Sequence, residues 1–158
     1  MKKIITIAMI SLFLGCTSLM DISSYKVNHS DYESIENPFS IDSVKIYRDI
    51  LYTISVLKWD TKDVDYYTID IDYSGSSWLF LDGNVTIQAD EHIIKINDKK
   101  PYRRTRNGGV NETVSAYISD EDLEKIATAS MVKMEFFGSP VDISELGKSF
   151  IQQFVDEY

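Results

Sequence analysis

The densest cluster of residues able to bind an anion lies between positions 99 and 106. Arginine forks bind phosphate and carboxylate groups bidentately, and glycine-rich turns such as the Asn107-Gly108-Gly109 that follows can add backbone N–H donors. The segment therefore predicts contact with a phosphate, a sugar acid or lipid headgroups. The favoured alternative is a solubilising hairpin whose charges balance the surrounding acids. The residues proposed for anion or partner contact are Lys99, Lys100, Tyr102, Arg103, Arg104 and Arg106.

Two groups of acids could carry other chemistry. Asp70 and Asp72 lie on one face of an alternating strand, and paired carboxylates can act as acid and base in glycoside hydrolysis. Asp60, Asp63 and Asp65 cluster in a short segment, and calcium takes several such oxygen ligands. Their spacing departs from that of an EF-hand loop, and acids on a wet strand face are common. We therefore predict a solvated hairpin loop at residues 60–65 and no catalytic role for either group.

The other residue types that perform catalysis or bind metals are scarce. The chain has two histidines, His29 and His92, and one cysteine, Cys16. A zinc site needs several His, Cys or acid ligands, and no recognisable spacing supplies them. The sequence also has no Ser-His-Asp or nucleophile-elbow pattern. We therefore expect no catalytic residue, no metal and no cofactor, and we interpret His92 as a structural or surface residue.

Cys16 follows a short apolar segment that begins with two positive charges. Lys2 and Lys3 precede the apolar run over residues 4–14, which is too short to span a hydrocarbon core of about 20 residues. This is the pattern of a secretory signal. The cations stay on the cytoplasmic side while the apolar run enters the bilayer.

The sequence Leu12-Phe13-Leu14-Gly15-Cys16 resembles the lipobox of bacterial lipoproteins, in which a small residue precedes an obligatory cysteine. Its bulky residues before the glycine are similar to the relaxed lipoboxes of spirochaetes. The resemblance implies cleavage after Gly15, a diacylglyceryl thioether on Cys16 and often a third acyl chain on the new amino terminus. Two or more acyl chains anchor a protein stably. An ordinary signal peptide with a chance cysteine is the alternative.

The composition limits the partners of the mature chain. Removal of residues 1–15 leaves 143 residues with 14 cations against 25 acids, a net charge of −11. Such a surface repels nucleic acid and anionic headgroups on average. The length is enough for one domain with a core. A single cysteine excludes an intramolecular disulfide.

The mature chain divides into a tether and a domain. Residues 16–40 are predicted to be the lipidated cysteine and a flexible polar tether that ends near Pro38. Tyr25, Tyr32 and Ile35 could instead pack on the domain, which would order part of the tether. Beyond it, β-branched and aromatic residues alternate with polar ones and predict a meander of six to eight antiparallel strands. The predicted strands cover residues 43–47, 51–59, 66–73, 78–81, 84–89, 92–96 and 110–118, with a tight turn at Asp82-Gly83. Residues 100–106 are predicted to be either a strand or a loop.

Two helices are predicted near the carboxyl terminus, with a strand over residues 131–137 between them. Ser119 is expected to cap a helix near residues 120–129, whose first turn is acidic. A capping-box-like start at Asp142 opens a second helix over residues 142–157, whose apolar residues recur at helical period.

Residues 41–158 are therefore expected to form one α+β domain, with the last helix along the apolar face of an antiparallel sheet. We interpret the chain as a membrane-anchored lipoprotein that is a non-catalytic binding or interaction module of the cell envelope. Its expected partners are the membrane, through Cys16, and an envelope protein or other envelope component, but not nucleic acid. The outer membrane, its periplasmic leaflet and the cell surface are all open as locations. The alternatives are a small envelope hydrolase that uses Asp or Glu, and an anion-binding module that uses residues 99–106.

Overall fold

The computed structural model describes residues 26–32, 39–81, 84–97, 101–106 and 108–158. The predicted signal peptide and lipobox with Cys16, the turn at Asp82-Gly83, and Lys99 and Lys100 all lie outside the described residues. Within the described ranges, no helix has the length and apolar character needed to cross a membrane.

Strands and two helices make up the described part of the chain. The helices are α1 (Asp120–Thr128) and α2 (Glu145–Glu157). The strands are β1 (Val27–Tyr32), β2 (Phe39–Arg48), β3 (Tyr52–Thr61), β4 (Asp65–Gly75), β5 (Asn84–Ala89), β6 (His92–Asn97), β7 (Tyr102–Arg106), β8 (Gly109–Ile118), β9 (Val132–Phe136) and β10 (Ser139–Ile143).

The strands form two antiparallel sheets. A six-stranded sheet, which we call the large sheet, has the order β1-β2-β3-β4-β8-β7, and a four-stranded small sheet has the order β10-β9-β5-β6. The predicted α+β class with an antiparallel meander and helices near the carboxyl terminus is confirmed. The second sheet was not predicted. It forms because β5 pairs with β9, which lies beyond β8 and α1 in the chain.

One face of the large sheet, its inner face, forms much of the core. Side chains alternate between the two faces of a strand. Val44, Val56, Ile69 and Ala116 occupy paired positions on four adjacent strands, and all four are buried on this inner face. They therefore form one apolar row that crosses the sheet.

The small sheet and α2 cover the inner face. Tyr52 meets Phe136 of the small sheet edge to face, with ring centroids 5.1 Å apart. Tyr67 meets Phe154 of α2 in the same way at 6.2 Å. The apolar stripe of the last helix therefore packs on the apolar face of the sheet, as predicted.

Helix α2 lies close to β2 and to the end of α1. A Cβ atom at Gly147 would collide with the backbone carbonyl oxygen of Ile46, so this approach requires glycine. The next residue, Lys148, is buried and donates from Nζ to the carbonyl oxygens of Ala129, at 2.6 Å, and Ser130, at 2.9 Å. A cation at this position is favourable because the last carbonyl groups of a helix carry partial negative charge.

Two boundaries of the domain differ from the prediction. Val27–Tyr32, within the predicted tether, is strand β1, because its backbone extends the large sheet by pairing with β2. The folded part therefore begins before residue 41. The second helix begins at Glu145 and not at Asp142, because residues 139–143 form β10. Ser144 caps this helix and accepts a hydrogen bond from the Gly147 N–H.

The segment at residues 78–81, predicted as a strand, is irregular. Phe80 has a φ angle of 59°, which lies in the left-handed region and interrupts an extended chain.

The strand predicted over residues 131–137 is β9, and it ends at a tight turn in which Phe137 and Gly138 have φ angles of 50° and 68°. Both central residues of a type I′ hairpin turn need positive φ, so this pair is suited to the β9–β10 connection.

A histidine links β1 to β2. His29 Nδ1 lies 2.7 Å from Asp42 Oδ1, and its Nε2 lies 3.0 Å from Asp31 Oδ1. The hydrogen bond with Asp42, followed by that with Asp31, raises the pKa of His29 above its ordinary value of 6.5. Protonated His29 donates from both nitrogens and therefore favours pairing of β1 with β2.

We expect the hydrogen-exchange protection of β1 to fall as the pH rises from about 6 to about 8. The pKa of His29 is raised by folding, so its stabilisation is complete below the unfolded pKa and is lost as the pH rises through the folded pKa. Protection factors for residues 27–32, corrected for intrinsic exchange, would measure this. His29→Gln should flatten the pH dependence, whereas His92→Gln, at an exposed histidine of β6, should leave it intact. Equal pH dependence in wild type and His29→Gln would contradict this role.

Candidate functional site

The outer face of the large sheet is the candidate functional site. The small sheet and α2 pack on the inner face, and in the described part of the chain no element packs on the outer one. The solvated face of an antiparallel sheet normally presents polar side chains. Here only half of the face does so, and the other half is apolar.

The apolar half is a row of side chains that crosses four strands, which we call the aromatic strip. Trp59 of β3 stacks between Phe39 of β2 and Tyr66 of β4, with ring centroids 5.8 Å away on each side. Tyr66 in turn lies 6.4 Å from Tyr117 of β8. Cross-strand aromatic pairs of this kind stabilise a sheet. The strip comprises Phe39, Ile41, Leu57, Trp59, Tyr66 and Tyr117.

The stacking decides what the strip presents to solvent. Because Trp59 has a ring against each of its faces, it exposes its edge. Tyr117 ends the row and is 62% exposed. Tyr117 is therefore the ring of the strip with the most surface available to a ligand.

The centre of the polar half carries short polar side chains, and we call this central part the polar patch. Asp70 pairs with Ser115 across β4 and β8, and Asp72 pairs with Thr113. The hydroxyls of Ser115 and Thr113 donate to the Oδ1 atoms of these carboxylates, each at 2.6 Å. The patch comprises Thr53, Ser55, Asp70, Asp72, Thr113 and Ser115.

A chain of hydrogen bonds joins the strip to the patch. Trp59 donates from Nε1 to the Thr68 hydroxyl at 3.0 Å, and that hydroxyl donates to Asp70 Oδ1 at 3.0 Å. As predicted, Asp70 and Asp72 lie on the same face of β4. They lie on an open sheet surface.

The predicted basic segment is divided between the two faces of β7. Arg103 points to the inner side, where Nε lies 3.1 Å from Glu112 Oε2 and Nη2 lies 2.6 Å from the carbonyl oxygen of Leu81. Tyr102 and Arg104 lie on the outer face, with the Arg104 guanidinium 6.0 Å from the centre of the Tyr102 ring. Arg103 and Arg104 therefore do not converge on one point. The side chain of Arg106 lies outside the described residues.

Glu112 is a buried acid that had not been predicted as important. Its side chain is 0% exposed, and its carboxylate accepts hydrogen bonds from the backbone N–H groups of Leu79, Phe80 and Leu81. Burial alone would raise the pKa of Glu112, but these N–H groups and the Arg103 guanidinium outweigh burial and lower it. Glu112 therefore holds the irregular 78–81 segment against β8 and β7.

A signal for Glu112 exists in the sequence. It alternates with Val110 and Val114 on β8 and so falls on the apolar face of a predicted strand. A carboxylate in such a place must be paired or supplied with hydrogen-bond donors. The donors that bond to Glu112 could not be predicted, because residues 79–81 form an irregular segment that no local pattern places beside β8.

A second carboxylate performs a similar structural task in the small sheet. Asp90, in the β5–β6 turn, accepts the backbone N–H groups of Ser130 at 2.9 Å and Met131 at 2.8 Å. These two hydrogen bonds lower the pKa of Asp90. A catalytic acid would need a raised pKa and an enclosed site. The pKa values of Asp90 and Glu112 are lowered instead.

A shallow depression lies on the small sheet, next to the β9–β10 turn. It opens widely to solvent, so it does not enclose a ligand. Its lining residues are Asn84, Thr86, Glu135, Phe136, Phe137 and Gly138.

The fold and site together define an α+β protein with an open antiparallel sheet face that is half aromatic and half polar. No protein-family model matches the sequence, and neither a curated protein nor a solved structure matches the chain. The chemistry of the open face is therefore the basis for proposing a function.

Proposed function

We propose that this chain is a lipid-anchored, non-catalytic binding module of the bacterial cell envelope that contacts its partner through the outer face of the large sheet. The observation that carries the proposal is the aromatic strip. Contiguous apolar surface that contains tryptophan and tyrosine is typical of interaction sites. The ring of Tyr117, at the end of the strip, is 62% exposed.

The lipobox resemblance supports an anchor close to the domain. If lipid is attached to Cys16, ten residues separate it from Val27, the first residue of β1. A fully extended segment of that length spans at most about 35 Å. The outer face would thus operate near the membrane surface, where envelope components are concentrated.

The arrangement of acids favours binding over catalysis. Asp70 and Asp72 accept hydrogen bonds from neighbouring hydroxyls and lie on an open surface. Glu112 and Asp90 organise backbone segments. An envelope hydrolase would need two carboxylates with separated pKa values around an enclosed substrate, and none of these four acids is placed in that way.

Crosslinking in intact envelopes followed by pull-down of the tagged full chain tests the proposal. We expect Tyr117→Ser to reduce recovery of a specific partner by about tenfold, because an exposed tyrosine that becomes buried on binding contributes strongly to an interface. Ile93→Ser is the matched control, since Ile93 is similarly exposed, at 65%, but lies on the small sheet. Equal recovery with wild type and Tyr117→Ser, or loss only with Ile93→Ser, would refute the proposed surface.

A further inference from the structure

The tip of the β2–β3 hairpin is apolar. Its turn runs from Asp49 to Tyr52, and its two central residues are Ile50, which is 77% exposed, and Leu51, which is 46% exposed. Glycine, proline, asparagine, aspartate and serine normally occupy the centre of a turn. Packing in the core does not account for the choice of isoleucine here, because most of its surface lies in water. The tip therefore favours contact with an apolar phase outside the domain.

The carboxylate of Asp49 fixes the backbone of this turn. Its Oδ1 accepts the backbone N–H groups of Leu51, at 2.8 Å, and Tyr52, at 2.6 Å. Its Oδ2 accepts the hydroxyl of Tyr47 at 3.0 Å. The apolar tip is thus presented on a backbone that is already held in place, so contact with a partner costs little ordering entropy.

Cations lie beside the tip at the same end of the large sheet. Arg48, the last residue of β2, is exposed and directly precedes the turn. The carbonyl oxygen of Leu51 accepts the Ser74 N–H at 2.9 Å. Ser74 pairs with Asn111, which in turn pairs with the exposed Arg104. Leu51 and Arg104 therefore lie in one row across the end of the sheet.

The opposite end of the large sheet is acidic. The β3–β4 turn and the strand ends beside it carry Asp60, Asp63 and Asp65 against Lys58 and Lys62. The last residue of β8 reaches this end, and the acidic first turn of α1 follows it. An anionic surface therefore repels this end and attracts the hairpin end. The acids of the first turn of α1 are Asp120, Glu121 and Asp122.

The chain that leads from the lipobox reaches the sheet from the side of the hairpin. Strand β1 is antiparallel to β2 and starts with Val27 beside Val44, so it runs away from the hairpin. Lys26, just before it, is exposed and adds a cation on that side. Strand β2 continues from Val44 to the turn over about 17 Å. The ten residues between Cys16 and Val27 span up to about 35 Å. A lipid on Cys16 can therefore hold the hairpin tip at the membrane surface.

We infer that the tip of the β2–β3 hairpin docks on the membrane that holds the lipid anchor. Ile50 and Leu51 enter the boundary between headgroups and acyl chains, and Arg48 and Arg104 contact anionic headgroups. The strands of the large sheet then point away from the membrane, and its outer face is turned sideways towards a partner. This inference rests on the proposed function and names the end of the module that faces the membrane.

Quenching of a fluorescent label by lipid tests the inference. The mature lipidated chain is reconstituted in vesicles of equal parts phosphatidylcholine and phosphatidylglycerol. Acylation uses the thiol of Cys16, so Ile50→Cys provides a single site for a nitrobenzoxadiazole label. We expect spin-labelled lipids to quench this label and its emission to shift to the blue. Val64→Cys is the matched control, because Val64 is 60% exposed in the hairpin turn at the acidic end. Its label should stay in water.

Two substitutions should weaken docking when the label is placed by Leu51→Cys instead. Ile50→Ser should lower the ratio of docked to undocked chains by about tenfold, because a large aliphatic side chain no longer leaves water. Arg48→Gln should lower it by about fivefold, because a cation near anionic lipid is lost. This second effect should vanish in vesicles of phosphatidylcholine alone. Ile93→Ser, on the small sheet, should leave the ratio unchanged.

Three results would overturn the inference. They are a label at position 50 that lipid does not quench, equal quenching at positions 50 and 64, and quenching at position 51 that neither Ile50→Ser nor Arg48→Gln reduces. A label at position 50 that is shielded in intact envelopes but not in vesicles would mean that a protein covers the tip, and it too would overturn the inference.

The intact mass of the unlabelled lipidated chain separates this inference from the proposed function. If Cys16 is acylated and the label at position 50 stays in water, docking fails and the anchored binding module stands. If Cys16 is unmodified, the anchor fails and the inference falls with it.

Discussion

Replacement of Glu112 by Gln should lower the free energy of unfolding by about 3 kcal/mol, because the charge that pairs with Arg103 is removed in a buried setting. The amide nitrogen of the introduced glutamine would also face backbone N–H donors of residues 79–81, where only an acceptor fits. The midpoint of thermal unfolding should fall by about 10 °C for a domain of this size. Chemical denaturation of the full chain measures the difference. Glu135→Gln, at an exposed acid of β9, is the control and should change stability by less than about 0.5 kcal/mol.

The loss of stability caused by Glu112→Gln should also depend on pH. Folding lowers the pKa of Glu112 below its ordinary value of 4.5, so its contribution is present above that value and is lost as the pH falls through the folded pKa. The difference between wild type and Glu112→Gln should therefore shrink in acid. A difference under about 1 kcal/mol at neutral pH would show that the carboxylate does not organise the 78–81 segment.

A Cys16→Ser substitution should abolish stable membrane attachment. A serine hydroxyl cannot form the thioether that the lipobox resemblance implies. Each buried acyl CH₂ contributes about 0.8 kcal/mol to membrane binding, so the loss of two or three chains removes essentially all of it. Fractionation of the native host, with salt-washed membranes and intact mass spectrometry, would measure the result.

Thr17→Ser is the matched control for this substitution, since it changes the adjacent residue and leaves the thiol in place. It should stay in the membrane fraction with the mass of an acylated chain that begins at residue 16. Wild-type protein with an unmodified Cys16, or Cys16→Ser protein that remains in washed membranes at the wild-type level, would contradict the anchor.

Local patterns predicted individual elements well. The alternation of Tyr67, Ile69, Ile71 and Tyr73 predicted β4 and its buried face, because period-two burial is a property of one strand. Ser119 was predicted as the cap of α1, and its hydroxyl accepts the Asp122 N–H. Such signals depend on neighbours in sequence, so they can be recognised from the sequence alone.

Features that depend on distant pairing could not be predicted. Strand β1 has a weak apolar pattern and is ordered by its pairing with β2. The division into two sheets depends on β5 meeting β9, and no local signal selects that partner. Phe80 adopts a positive φ in a segment whose backbone N–H groups bond to Glu112, which lies 32 residues away in the sequence.

The candidate site was predicted only in fragments. Asp70 and Asp72 were expected on one strand face, which is where they lie. Their place beside Ser115 and Thr113 required the pairing of β4 with β8. The aromatic strip was missed, because its members come from four strands. Period-two alternation places Arg103 and Arg104 on opposite faces only if residues 102–106 form a strand. The sequence left open whether this segment is a strand or a loop, so their divergence could not be predicted.

Site-specific photo-crosslinking in intact cells tests the central claim, that the outer face of the large sheet contacts the partner. Tyr117 would be replaced by p-benzoylphenylalanine, and Ile93, on the small sheet, would be replaced in a parallel strain. Benzophenone inserts into C–H bonds of proteins and glycans alike, so the result does not depend on the ligand class. We predict a specific light-dependent adduct from position 117 and none from position 93. An adduct from position 93 alone, or equal adducts from both, would contradict the claim.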